Sequence, residues 1–196
     1  MNKSFLETIK AVDGEIFHLS FHQKRLESVL RSLGSREFPS LLHLLNPPKK
    51  GLYRCRVLYT KDTVDVSYHP YLQREIHSLK LIYDDTIVYD KKYANRDMLN
   101  TLFSLKKEAD DILIIKNGLV TDTSIANIAF FDGKKWLTPK TPLLEGVTRE
   151  RLLEEKKIFK QDIQVEDLAS FTKVALLNAM IDFDIIMKDN TKGMYC

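Results

Sequence analysis

The chain has 196 residues, of which 44% are hydrophobic and 29% are charged, with 30 Lys and Arg against 27 Asp and Glu. This composition is ordinary for a globular protein, and the length fits one large domain or two small ones that share a cleft. The net charge of +3 is spread along the chain, which gives little support for nucleic-acid or membrane binding. With Cys55 and Cys196 as its 2 cysteines, the chain has neither a disulfide framework nor a cysteine-based zinc site.

The N-terminus is charged and lacks an apolar core, and no apolar run is long enough to span a bilayer. These features predict a chain without a signal peptide and without a membrane span. With so few cysteines, the sequence is typical of a protein of the reducing cytoplasm.

Residues 1–85 are predicted to form an N-terminal half of two hairpins with helical segments between them. The first hairpin turns at Asp13-Gly14, where glycine accepts a positive φ, and the second turns at Lys61-Asp62. The predicted strands of this half are residues 4–12, 15–19, 51–59 and 64–68.

A helix is predicted between the two hairpins. Ser20 and Gln23 match a capping box at its start, and Gly34 is the residue type that ends a helix. A second, short apolar helix over residues 40–45 stops before two prolines. The inward face of the first helix carries His22, Leu26, Val29, Leu30 and Leu33.

Residues 86–196 are predicted to form the C-terminal half, with a strand at 79–83 just before it. Paired strands with inserted helices predict an α/β (α+β) fold of two small subdomains rather than a doubly wound nucleotide-binding fold. Strong hairpin turns stand at Asn117-Gly118 and Asp132-Gly133. The predicted strands are 112–115, 119–121, 125–131, 136–138, 174–177 and 185–188, and the predicted helices are 96–107 and 147–157.

Three segments of the C-terminal half carry residues suited to chemistry. Lys92 could form a Schiff base if burial or a neighbouring cation lowered the pKa of its amine, although a lysine chosen at random is more commonly a solvated charge. Asp122 could pair with a cationic group, or it could be an ordinary turn residue. Gly146, Val147 and Thr148 begin a helix, and the N–H groups there either bind an anion or are capped.

Arginines of the N-terminal half are also candidates for anion binding. Arg25 on the first predicted helix could make a charge-assisted contact to a phosphate, and the alternative is an exposed helix arginine. Arg54 and Arg56 alternate on a strand, so both should face the same side and could bind a substrate carboxylate. A solvated outer face of the sheet explains these two equally well. His22 is predicted to be a packed or capping residue rather than a catalytic base.

The order of these segments resembles the class IV (fold type IV) pyridoxal-phosphate enzymes, which include aminodeoxychorismate lyase, D-amino acid aminotransferase and the branched-chain aminotransferases. The resemblance implies two small α/β subdomains with the cofactor, pyridoxal 5'-phosphate (PLP), between them. It also implies a homodimer that acts on a small-molecule amine, without a metal. The matching segments are residues 22–26, 92–96, 122–127 and 146–149, within a resemblance that extends from residue 5 to about residue 187.

The resemblance assigns a role to each candidate. It implies that Lys92 is the Schiff-base lysine and the proton shuttle, because Lys-x-x-Asn marks this segment in the lyase and D-amino acid branches. It implies that Asp122 pairs with the pyridine nitrogen of PLP, where the family usually has the longer Glu. The phosphate would be held by Arg25, by the main chain of Val147 and by Thr148.

The lyase branch is the most similar, because Asn and Arg follow its lysine at the positions of Asn95 and Arg96. It implies a 4-amino-4-deoxychorismate lyase that makes 4-aminobenzoate and pyruvate in the folate pathway. The Arg-Gly loop of the family is replaced here by residues 59–62, which fits poorly with an amino acid substrate. The first alternative is a class IV amino acid aminotransferase, of the D-amino acid or branched-chain type. Its substrate contacts would come from Arg54, Arg56 or Arg96, and the second alternative is a non-catalytic PLP-binding relative.

Overall fold

The computed structural model describes residues 3–187 and residue 195. Contacts between residues divide the chain into two compact units, each of which is discontinuous in sequence. Unit 1 contains residues 1–73 and 91–95, and unit 2 contains residues 74–90 and 96–196.

These units differ from the predicted halves at two segments, and strand pairing explains both differences. Residues 74–85 belong to unit 2, because the strand at 79–83 pairs in parallel with a strand at 111–116. Residues 91–95 belong to unit 1, because Tyr93 bridges to Phe5 on the first strand. Neither pairing has a local sequence signal.

Unit 1 is an antiparallel sheet covered on one face by a helix. The sheet order is β2-β1-β3-β4, and from Glu7 to Val12 the buried side chains of β1 alternate with more exposed ones, as the strand period of two requires. On the covered face, Phe5 and Ile9 pack with Leu26 and Leu30 in one hydrophobic cluster. The elements are β1 (Phe5–Val12), β2 (Glu15–Ile16), α1 (Leu19–Ser32), α2 (Leu41–Leu44), β3 (Leu52–Tyr59) and β4 (Val64–Pro70).

Both predicted hairpins of unit 1 are confirmed, and so is the end of its helix. Asp13 and Gly14 have φ of 50° and 88°, which is the left-handed geometry that a tight hairpin turn requires. At the end of α1, Gly34 has a φ of 81° and its N–H bonds the carbonyl of Arg31 at 3.0 Å.

The predicted capping box at Ser20 and Gln23 is wrong. Helix α1 begins at Leu19, so Ser20 lies inside its first turn. The Gln23 side chain instead holds the following segment, since its Nε2 donates to the Pro39 carbonyl at 3.0 Å and its Oε1 accepts the Leu41 N–H at 2.9 Å. Gln23 therefore bonds residues 39 and 41 instead of capping the start of its own helix.

Unit 2 contains two sheets that share one hydrophobic cluster. The buried residues of this cluster include Leu113, Ile128 and Leu176. One sheet has the order β5-β6-β7 and the other has the order β10-β9-β8-β11-β12, with β5–β6 and β9–β10 parallel. The elements of unit 2 are β5 (Leu79–Tyr83), α3 (Asp97–Ser104), β6 (Asp111–Lys116), β7 (Leu119–Thr123), β8 (Asn127–Phe131), β9 (Trp136–Pro139), α4 (Val147–Glu154), β10 (Ile158–Gln161), a 3₁₀ helix (Val165–Ser170), β11 (Lys173–Asn178) and β12 (Asp182–Met187).

The hairpins at Asn117-Gly118 and Asp132-Gly133 are confirmed, whereas several boundaries differ from the prediction. Helices α3 and α4 both end three residues earlier than predicted. Strand β8 starts at Asn127 because the residues before it form a turn, in which the Thr123 N–H bonds the Ala126 carbonyl at 2.9 Å. Strand β10 and the 3₁₀ helix were not predicted. The predicted strand end at residue 188, like Cys196, lies outside the described residues.

Among residues 3–187 and 195, no helix is long and apolar enough to cross a membrane. The same residues contain no group of three or more His, Cys, Asp or Glu side chains placed to hold a metal ion.

Candidate active site

A buried carboxylate organises the helix side of unit 1. Glu7 on β1 is fully buried, and its two oxygens accept the Nε and Nη2 of Arg25 at 2.8 and 2.6 Å. The Nδ1 of His22 lies 2.6 Å from the same carboxylate. Because His22 and Arg25 are three residues apart on α1, their side chains emerge on one face of the helix and meet a single acid. The His-x-x-Arg motif therefore forms a clamp around Glu7.

Charge keeps this acid ionised despite its burial. Burial alone would raise the pKa of Glu7, but the Arg25 charge and the hydrogen bonds from His22 and Arg25 hold that pKa at about 2. Burial also lowers the pKa of His22, which keeps the imidazole neutral at pH 7. His22 is thus a packed residue as predicted, and the Arg25 side chain is only 12% exposed, so the alternative of an exposed helix arginine is wrong.

Lys92 is held against β1 by its own backbone. The Lys92 carbonyl accepts the Leu6 N–H at 2.9 Å, and the Ala94 N–H donates to the Ser4 carbonyl at 2.9 Å. The Lys92 side chain is half-buried, and its charge helps to lower the pKa of His22. Unit 1 therefore brings the two predicted residues Lys92 and Arg25 into the electrostatic neighbourhood of one histidine.

Replacing Glu7 with Gln tests the clamp. The substitution removes the charge that faces Arg25 and places an amide donor against existing donors. Breaking a buried ion pair from one side costs about 3–5 kcal/mol, so we expect the free energy of unfolding to fall by an amount of that order. Urea denaturation followed by circular dichroism measures the change.

The matched control is Glu27→Gln on the same helix, where the half-buried carboxylate accepts the neutral Gln23 amide at 2.8 Å. That substitution should change stability by no more than about 0.5 kcal/mol. The folded-state pKa of Glu7 is about 2 against an ordinary 4.5, so its stabilisation is complete above pH 4.5 and is lost as the pH falls toward 2. A gap between wild type and Glu7→Gln that does not narrow over this range would refute the clamp.

In unit 2 a second buried carboxylate stands where the acid of the site is predicted. Asp122 on β7 is 5% exposed, and its Oδ1 accepts the Asn127 amide at 2.8 Å while its Oδ2 accepts the Leu144 N–H at 2.9 Å. Burial raises the pKa of Asp122 to about 6, against the opposing effects of these donors and of the Arg149 charge. Asp122 is therefore mostly ionised at pH 7, and a modest fall in pH would protonate it.

The start of α4 is packed against the same amide. Gly146 precedes the helix in an extended conformation, and a Cβ at this position would lie 2.1 Å from Asn127 Oδ1, so only glycine fits. The first turn of a helix leaves N–H groups without intrahelical acceptors and favours an anion. Val147 and the buried Thr148 stand in that turn. Unit 2 therefore brings Asp122, Val147 and Thr148 together through a shared loop.

Arg149 was not predicted to have a role of its own. It is 2% exposed, and its guanidinium donates to the Pro139 carbonyl at 2.7 Å and to the Thr138 hydroxyl at 3.3 Å. Burial lowers its pKa, and the charge of Asp122 acts in the opposite direction. The buried arginine anchors α4 to β9 and leaves a positive charge near Asp122.

The three predicted substrate arginines occupy different surroundings. Arg54 and Arg56 lie on the same face of β3, opposite Lys10 and Thr8 of β1, and both are half-buried. In the described part of the chain, Arg54 Nε is buried without a hydrogen-bond partner. Arg96 belongs to unit 2, where its Nη2 donates to the Ser124 carbonyl at 2.6 Å. Arg96 thus holds the turn that follows Asp122, and its substrate role stays a prediction.

The residue that the sequence motifs missed most clearly is Glu7. Its signal was a charged residue on the apolar, inward face of the first strand, between Phe5 and Ile9. Asn127 stood in a matching segment, but nothing in the sequence showed that its amide would meet both Asp122 and the loop before α4.

A titration of the side-chain carboxyls tests the environment of Asp122. Its pKa of about 6 exceeds the ordinary 3.8, so its contribution to stability is complete below pH 3.8 and is lost as the pH rises through 6. In carbon-detected NMR of the cofactor-free protein, the Asp122 carboxyl should titrate near pH 6. Exposed Asp132, whose pKa is lowered by the Lys135 and Lys134 N–H groups, should titrate below 3.8 in the same spectra. An Asp122 midpoint at or below 3.8 would contradict the burial argument.

Known proteins match this chain over most of its length. The sequence profile of the family described as amino-transferase class IV matches residues 90–185. An uncharacterised protein of Haemophilus influenzae is 39% identical over 180 residues, which cover 89% of this chain and 96% of that protein. The crystal structure of a provisionally named 4-amino-4-deoxychorismate lyase from Haemophilus somnus is 36% identical with a TM-score of 0.85, covering 92% of this chain and 97% of that one. The chain belongs to the class IV aminotransferase family.

Membership confirms the expected fold type IV and the expected class of enzyme. The PLP-bound form of a hypothetical aminotransferase from Mycobacterium tuberculosis shares the fold, with 17% identity, a TM-score of 0.77 and coverage of 93% of this chain and 80% of that one. The family is PLP-dependent, and this class IV protein is accordingly an enzyme of the lyase and aminotransferase group.

Proposed function

We propose that this class IV enzyme is a PLP-dependent 4-amino-4-deoxychorismate lyase that releases pyruvate and 4-aminobenzoate, a folate precursor, as a homodimer in the cytoplasm. The observation that carries the proposal is the 36% identity to the Haemophilus somnus protein, which bears the name of such a lyase and matches over 97% of its length. The segment from Lys92 to Arg96 agrees with it, because Asn and Arg follow the lysine as in the lyase branch.

The turn between β3 and β4 supports the lyase over the aminotransferase. It is a tight hairpin in which the Thr60 N–H bonds the Thr63 carbonyl at 2.9 Å, and the Thr60 hydroxyl accepts the N–H groups of Asp62 and Thr63. The segment that stands in place of the family's Arg-Gly loop is therefore a short turn whose polar groups hydrogen-bond to one another. An amino acid substrate would need its carboxylate held by other groups.

The residues of unit 2 fit the cofactor. PLP presents a phosphate at one end and a ring nitrogen at the other, and unit 2 offers the start of α4 for the phosphate and a buried acid for the nitrogen. A carboxylate has about four lone-pair sites, so the donors already on Asp122 leave it room for one more. When bound, PLP supplies an electron sink for the carbon that bears the substrate amine.

The residues of the chain would divide the work as follows. The main chain of Val147, Thr148 and the predicted ligand Arg25 would bind the phosphate, and Asp122 would hold a proton on the ring nitrogen. Lys92 would hold the cofactor covalently through its Nζ. Once the substrate amine has displaced it, the free Lys92 amine would take the proton from the amine-bearing carbon of the substrate. The enolpyruvyl group would take up a proton and depart as pyruvate. Its loss would leave an aromatic ring, which favours the lyase outcome.

A class IV amino acid aminotransferase is the second candidate. The observation that favours it is the pair of arginines on one face of β3, since Arg54 and Arg56 could hold an α-carboxylate in place of the missing loop.

The cofactor assignment is tested by reduction. Purified protein incubated with PLP and treated with borohydride should carry a covalent pyridoxyl group on Lys92, located by peptide mass analysis. Lys92→Arg should abolish the label, whereas the matched variant Lys91→Arg, at a half-buried lysine one residue earlier, should keep it. A label that survives in Lys92→Arg would remove Lys92 from the site.

The lyase assignment is tested by stoichiometry. With aminodeoxychorismate as the sole organic substrate, pyruvate and 4-aminobenzoate should appear in equal amounts without any keto acid, because no amino group is transferred. Omitting PLP from a cofactor-stripped preparation is the control. Turnover that requires a keto acid and aminates it would establish the aminotransferase instead.

A further inference from the structure

We propose that Asn127 is a positioning residue that sets the spacing between the acid Asp122 and the phosphate-binding start of α4. This inference rests on the proposed function, since it concerns how the two ends of PLP are received. It assigns a role to a residue that contacts neither reacting atom.

Every polar group of the Asn127 amide contacts either Asp122 or the loop before α4. Both of its N–H groups are used, because Nδ2 donates to Asp122 Oδ1 at 2.8 Å and to the Leu144 carbonyl at 2.8 Å. Its oxygen faces Gly146 so closely that a side chain there is excluded. One planar group thus touches the acid, the loop and the residue that precedes the helix.

The backbone of Asn127 is anchored independently of that loop. Asn127 is the first residue of β8 and pairs with Leu177 in the five-stranded sheet, whereas Asp122 lies on β7 in the three-stranded sheet. The Asp122 carboxylate in turn accepts the Leu144 N–H at 2.9 Å. The loop before α4 is therefore docked to both sheets, and Asn127 is the side chain of this group that also contacts Gly146.

Asn is the side chain that the arrangement needs. Asp would place a second carboxylate against Asp122 and the Leu144 carbonyl, with no N–H to donate. Gln is one methylene longer, so its amide could not keep the bonds to Asp122 and Leu144 without moving toward Gly146, which the Asn127 oxygen already approaches closely. An apolar residue would leave a buried carboxylate oxygen and a carbonyl each short of a donor, which destabilises both groups.

The role predicts a specific pattern of ligand affinities. If Asn127 places the start of α4 relative to Asp122, its loss should weaken binding of the phosphate more than binding of the ring. The probes are PLP and pyridoxal, which lacks the phosphate, titrated by absorbance into the cofactor-stripped full chain. In Asn127→Ala, we expect the ratio of PLP affinity to pyridoxal affinity to fall roughly tenfold, which is the change that about 1.4 kcal/mol produces.

Two further variants separate positioning from stability. Asn127→Ser keeps one short donor and should give an intermediate ratio. Asn178→Ala is the matched control in the same unit. The Asn178 oxygen accepts the N–H groups of Met180 and Ile181, and its Nδ2 donates to the Ile125 carbonyl at 3.4 Å, so none of these bonds reaches Asp122 or the loop before α4. The thermal stability of this control should fall while its affinity ratio stays at the wild-type value.

The outcomes are distinct. An unchanged ratio in folded Asn127→Ala and Asn127→Ser, with wild type binding PLP normally, would overturn the inference and leave the proposed function in place. Failure of both Asn127 variants to fold would also overturn it, because Asn127 would then be a requirement of folding. If wild type itself does not bind PLP, the proposed function falls, and this inference falls with it.

Discussion

Burying a carboxylate is the constraint on which both units of this protein depend. An ionised acid away from water must be met by donors, and each unit has arranged its secondary structure to supply them. In unit 1 the donors come from α1, so the clamp on Glu7 ties the helix to the sheet it covers. In unit 2 they come from β8 and the loop before α4, so the bonds to Asp122 join two sheets and a helix.

The two acids differ in the kind of donor, and this difference separates their roles. Glu7 meets the full charge of Arg25 and has a pKa of about 2, so it is ionised throughout the neutral pH range. Asp122 meets a neutral amide and a backbone N–H, and burial raises its pKa to about 6. A permanently charged acid suits a fixed clamp, whereas an acid that titrates near neutrality suits a partner that carries a proton. Asp122, the acid that titrates near neutrality, lies in unit 2, which also holds the proposed phosphate site.

The predictions were correct where neighbouring residues decide the structure, whereas they were wrong or missing where contacts between distant segments decide it. The hairpins at Asp13-Gly14 and Asn117-Gly118 were predicted correctly because a positive φ is a local property of the residue. The capping box at Ser20 was wrong because Gln23 bonds a segment outside its helix. Parallel pairing of β5 with β6 was not predicted, since parallel strands are joined by long connections that carry no turn signal.

The sequence by itself determined the order of the candidate residues, the hairpin turns and the apolar faces, because each depends on side chains close together in the chain. Only the tertiary structure decided that Glu7 would bind Arg25 and that Lys92 would lie in unit 1. It also decided that the Asn127 amide would contact Asp122 and Gly146. The same holds for the shifted pKa values, which follow from burial and from donors brought in by other segments. Such contacts depend on how the strands and helices pack, and no local pattern of residues specifies them.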